Sequence, residues 1–140
     1  MDAEIKSKLI NRVKENPYLN HLGIEFTGIE EGKVEAKMQL AAEHKQYSGV
    51  IHGGVVAALA DTIAGFAAYT VTPVNLDVLT AELKVSFLRG AWGNELIAKG
   101  ILIKAGRRVH FSECEIYCDD VMVAKASGTF CIVNEYIKPD

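Results

Sequence analysis

The chain has 140 residues, a formal net charge of −3, 49% hydrophobic residues and 24% charged residues. That length is one domain, which buries roughly 68–70% of its unfolded surface, and the composition excludes disorder, which needs few apolar residues and a large net charge. The acidic balance also speaks against a nucleic-acid partner, which requires a basic footprint.

In chain order, residues 2–14 read as a short helix, with Ile5, Leu9, Ile10 and Val13 at helical spacing among charges. Asn16-Pro17 stops it. Residues 23–29 and 33–40 read as two strands, joined by a tight turn at Glu31-Gly32. A polar loop over 41–51 leads to His52-Gly53-Gly54. From 53 to 69 alternation gives way to a run rich in alanine, and the spacing predicts a helix that is apolar almost all round and therefore buried on most sides. Four strands follow, at 79–88, 95–104, 109–118 and 121–133, with Gly106-Arg107-Arg108 and Asp119-Asp120 as turns. Four consecutive strands predict an antiparallel meander. The order predicts an α+β fold in which an antiparallel sheet curls around one long buried helix.

The least charged stretch, 50–80, is interrupted by His52, Asp61, Pro73 and Asp77, so no membrane span is expected. Residues 1–8 carry four charges, which does not fit a secretory signal. Cys114, Cys118 and Cys131 make neither an even set nor a metal cluster, and they fit a reducing, cytoplasmic setting.

Asp61 is the one ionisable residue of the apolar helix. A carboxylate there is costly when charged unless donors meet it, which marks it as a general base or nucleophile; the bland alternative is a cap or a solvent-facing residue. His52 precedes two glycines at the helix start, where amides carry partial positive charge and Gly53 and Gly54 let a ligand approach closely. Such a place suits a carbonyl oxygen that becomes anionic. Residues 52 and 61 are nine apart, a net half turn and ~13 Å along the axis. One substrate would reach both across two chains related by a two-fold axis.

The run His52-Gly53-Gly54-x4-Leu59-x-Asp61-x3-Gly65 resembles the signature of hotdog-fold acyl-CoA thioesterases of the phenylacetate-pathway and 4-hydroxybenzoyl-CoA-thioesterase-like type, and the element order matches over nearly the whole chain. The resemblance implies that Asp61 is the essential carboxylate, that Gly54 N–H binds the thioester carbonyl, and that His52 orients it. It implies that Gln46 positions water or thioester. After one inserted residue, Thr80 corresponds to a water-holding Ser or Thr; Leu79, the alternative there, could not hold water. It places coenzyme A at Leu88-Arg89-Gly90-Ala91 and Gly106-Arg107-Arg108-Val109, where guanidinium groups suit phosphates. Coenzyme A would then be part of the substrate, with no metal or separate cofactor. A dimer or dimer of dimers is expected. One departure stands out: Gln46 with Asp61 mixes features of two branches of the family.

The acyl chain would lie between subunits, with Val55, Val56, Leu59, Ile63 and Phe66 either lining it or serving as core. The main rival is a non-catalytic acyl-CoA-binding or regulatory protein of the same fold. Only about twenty residues precede the first strand, too few for a helix-turn-helix, and the His-Phe-Pro-Gly run associated with hotdog hydratases is missing from the sequence.

Overall fold

Asp2 opens the first helix by accepting hydrogen bonds from the N–H groups of Glu4 and Ile5, and α1 runs Ala3–Glu15. The structure, a computed structural model, describes residues 1–134. Asn16-Pro17 both stops α1 and starts a second short helix, α2 (Pro17–Leu22). The Asn16 side chain accepts from Leu19 N–H, and Pro17 fills a first-turn position where its missing donor costs nothing. The sequence reading took this pair as a stop alone.

The hairpin β1 (Ile24–Glu30) and β2 (Lys33–Gln39) follows. After a 3-10 turn at Ala42–His44 comes α3 (Gly53–Tyr69), with the bounds that the alanine-rich pattern predicts. Then come β3 (Leu76–Phe87), β4 (Glu95–Ala105), β5 (Val109–Cys118) and β6 (Val121–Asn134). Asp119 and Asp120 both take positive φ in the last turn, the geometry of a two-residue hairpin.

The six strands form one antiparallel sheet in the order β1-β2-β4-β5-β6-β3. The predicted meander is therefore correct for β4, β5 and β6 and wrong for β3. β4 pairs with β2 from Lys33↔Ile101 to Gln39↔Glu95, which fuses the early hairpin to the later strands. That pairing takes β4's free edge, so β3 joins the sheet beside β6, at its far border.

The sheet wraps α3. Val56, Leu59, Ala60, Ile63, Ala64, Phe66, Ala67 and Ala68 are buried, while Ala57, Ala58, Asp61, Thr62 and Gly65 keep partial exposure along one stripe. Burying a side chain such as Leu59 or Ile63 contributes roughly 1.5–3 kcal/mol. An aspartate inside a helix costs at most about 0.7 kcal/mol of propensity, so burial fixes the helix and Asp61 is carried along. Gly100 marks how closely α3 crosses β4: a Cβ there would lie 2.7 Å from the Ile63 carbonyl oxygen.

Candidate active site

The start of α3 is built by His52. Its backbone is extended (ψ 132°) and its Nδ1 accepts the Gly54 N–H at 2.8 Å, capping the helix. With Nδ1 accepting, the proton of the neutral ring sits on Nε2. A side chain at 54 would push the His52 ring from its cap, because a Cβ would lie 2.9 Å from that Nδ1. The N–H expected to bind a carbonyl oxygen is thus engaged by His52, whose own Nε2–H lies on the far side of the ring. Lying outside the helix, His52 does not obey the helical angle used to set it opposite Asp61. The axial separation stands: Gly54 and Asp61 are seven residues apart, roughly 10 Å.

Gln46 lies in the loop that leads into this helix end. Gln46 N–H donates to Val50 O and Gly49 N–H to Gln46 O, both at 2.9 Å, while Lys45 bridges to Ile51. His52 N–H donates to His44 O at 2.9 Å and Ile51 N–H to Ala91 O at 3.0 Å, tying the loop to the Leu88-Arg89-Gly90-Ala91 segment. The loop, the helix start and that segment form one cluster. Trp92, which sequence reasoning missed, packs against it: Cβ atoms at Gly49 and Gly90 would lie 3.4 and 3.0 Å from its ring.

Asp61 belongs to a second cluster. Its Oδ1 accepts from Thr80 Oγ1–H at 2.8 Å. Thr80 faces the helix because β3 slips register between Thr80 and Glu82, leaving Ala81 as an extra residue. Strict alternation from Leu83 and Val85 would turn position 80 outward. Leu79, the alternative candidate, is 46% exposed.

Thr80 pairs with Phe130, Phe130 with His110, and His110 with Ala105, so one row across the sheet ends at the turn Gly106-Arg107-Arg108-Val109. That turn is closed by Gly106 N–H donating to Val109 O at 2.9 Å. Seven residues of β3, roughly 20 Å, separate Thr80 from Phe87, whose ring lies by Gly53. Within one chain the two expected coenzyme A segments therefore lie toward opposite ends of β3.

Asp61 and Thr80 open onto a cleft of about 130 Å³ bounded also by Gly65, Phe66, Tyr69 and Phe130, with Asn16 and Leu19 on its flank. Of the apolar helix residues considered as lining, Phe66 reaches this cleft; Val56, Leu59 and Ile63 are core, and Val55 is half-buried elsewhere on the helix. Tyr69, at Asp61 plus eight, could have been found from helical spacing. Among the described residues no group of three or more His, Cys, Asp or Glu side chains is placed to hold a metal ion.

The sequence profile of the thioesterase superfamily matches residues 48–125, more than half of the chain and including His52, Gly54, Asp61 and Thr80. The chain belongs to the thioesterase superfamily. This thioesterase is 31% identical over 114 residues to the proofreading thioesterase EntH of Klebsiella pneumoniae, covering 81% of this chain and 83% of that one. Its fold is similar to that of a thioesterase family protein from Silicibacter pomeroyi, with a TM-score of 0.89 and 25% identity over 93% of this chain and 98% of the other. It also matches the E. coli PaaI protein from the phenylacetic acid degradation operon at a TM-score of 0.86 over 96% and 97% of the two chains; at 20% identity that likeness concerns the fold alone. The fold is the hotdog fold, and the family's chemistry is thioester hydrolysis.

Proposed function

We propose that this thioesterase hydrolyses acyl-CoA thioesters at a site that two chains complete together. The observation that carries the reading is the Thr80–Asp61 hydrogen bond at the mouth of the cleft. Thr80 occupies Oδ1 and leaves Oδ2 to accept a proton from water. The water oxygen then bonds to the thioester carbon, and the carbonyl oxygen becomes anionic. The His52 Nε2–H of a second chain meets that charge, and its Gly54 N–H joins once it turns from His52 Nδ1; one such donor is worth about 3 kcal/mol. The carbon–sulfur bond breaks, and the proton held by Asp61 passes to the coenzyme A thiolate.

Two chains are needed because one chain keeps its acid and its oxyanion donors apart. An isologous two-fold pairing would set each Asp61 against the partner's helix start. The outer edge of β3 offers a border for it, with Leu79 and Phe87 exposed. Gln46 would position the water, and Arg89, Arg107 and Arg108 would bind the nucleotide phosphates. The three cysteines are free thiols, which suits a reducing cytoplasm. No helix of the described residues is long and apolar enough to cross a membrane.

The test is thiol release from a panel of acyl-CoAs by the purified chain and by Asp61→Asn. The variant is expected to stay folded and lose at least ~100-fold in kcat. Wild-type rates in the variant would remove the catalytic assignment. Tight binding without turnover by the native chain would make it an acyl-CoA-binding protein instead.

A further inference from the structure

The cleft beside Asp61 is lined along α3 as far as Tyr69. Asp61, Gly65 and Tyr69 are spaced by four along α3, so they share one stripe, and Tyr69 stands two turns, roughly 12 Å, beyond the acid. Gly65 adds no side chain between them; the Phe130 ring lies over it, 3.3 Å from where a Cβ would be. An acyl group whose carbonyl sits at Asp61 would pass beside the Phe130 ring, which covers Gly65, to reach the Tyr69 ring.

That ring is held from several sides. Arg12 Nη1–H donates to the Tyr69 hydroxyl at 2.6 Å, and the Arg12 guanidinium also lies over the ring, 5.0 Å from its centroid. The hydroxyl donates in turn to Val78 O at 3.3 Å. Phe66 packs against the ring with centroids 5.9 Å apart. Arg12 is itself anchored to Asp77, a carboxylate only 1% exposed that Lys8 also approaches at 3.4 Å. Helix α1 thus braces this part of the cleft, and the ring cannot swing aside without giving up its hydrogen bond to Arg12.

We propose that Tyr69 is the specificity-determining wall of the acyl site, limiting the substrate to a short or single-ring acyl group and excluding long chains. The inference rests on the hydrolase reading above and adds the class of acyl group.

The experiment compares kcat/KM for acetyl-, hexanoyl-, phenylacetyl-, dodecanoyl- and palmitoyl-CoA in the native chain, Tyr69→Ala and Tyr69→Phe. The native chain is expected to favour hexanoyl- or phenylacetyl-CoA over palmitoyl-CoA by roughly tenfold or more. Tyr69→Ala is expected to raise the palmitoyl-to-hexanoyl ratio by roughly tenfold, whereas Tyr69→Phe keeps the ring and the native preference. Should Tyr69→Ala fail to fold, Tyr69→Leu, which also shortens the wall, replaces it. An active native chain that prefers palmitoyl-CoA, or a shortened variant whose chain-length preference is unchanged, overturns the assignment of Tyr69. Absence of thiol release from every substrate by the native chain would instead overturn the hydrolase reading.

Discussion

Thr80 does for Asp61 what water does for an exposed carboxylate: it supplies a donor, and it supplies it at a fixed oxygen. A hydrogen bond to a charged group is worth about 1.5–3 kcal/mol, so Thr80→Val, which keeps shape and removes the donor, is expected to lower kcat roughly tenfold or more. The check is steady-state kinetics beside a thermal melt, with Tm nearly unchanged. Asp61 itself was legible in the sequence because a single charge in an alanine-rich run demands a reason. Its partner was legible only through the family resemblance. Counting alternately along the strand from Leu83 and Val85 places position 80 on the wrong face, and no local propensity announces the extra residue at Ala81.

At the scale of elements, α3 was readable to its ends because the alanine-rich, non-alternating run fills the stretch from Gly53 to Tyr69. Strand order was not, since it depends on which edge is free when β4 arrives, a tertiary matter. β5 carries a further consequence. It turns His110 and Ser112 inward, and among the described residues neither ring nitrogen of His110 nor the Ser112 hydroxyl finds a hydrogen-bond partner. Burial lowers the His110 pKa below its ordinary value of 6.5. Below about pH 6.5 the unfolded chain therefore binds a proton that the folded chain refuses. Stability is expected to decline as pH falls from there through the lowered folded value, and to be indifferent to this group above it. Urea unfolding at about pH 7.5 and about pH 5.5 checks this. The midpoint should drop more in the native chain than in His110→Leu, and equal drops would show that another group governs the acid limb.

For the molecule as a whole, the separation of the two clusters gives a test that no single-site variant provides. Asp61→Asn damages the acid cluster, and His52→Ala damages the helix-start cluster. Each homodimer is then expected to be nearly inactive. If two chains share the site as proposed, refolding the two variants as a mixture makes half of the dimers mixed, each with one intact shared site. Activity should return to about a quarter of the native value by this symmetry. A site wholly within one chain predicts no recovery.

The extra residue in β3 has a reach out of proportion to its size. Remove Ala81 and the border strand could regain an unbroken ladder against β6, yet residues 76–80 would rotate by half a turn relative to the rest. Val78 would leave the interior, the Thr80 hydroxyl would turn from Asp61 toward solvent, and the end of the cleft at Tyr69 would lose the Val78 carbonyl that holds it. A lineage could silence this hydrolase, while leaving its scaffold nearly whole, by losing a single codon.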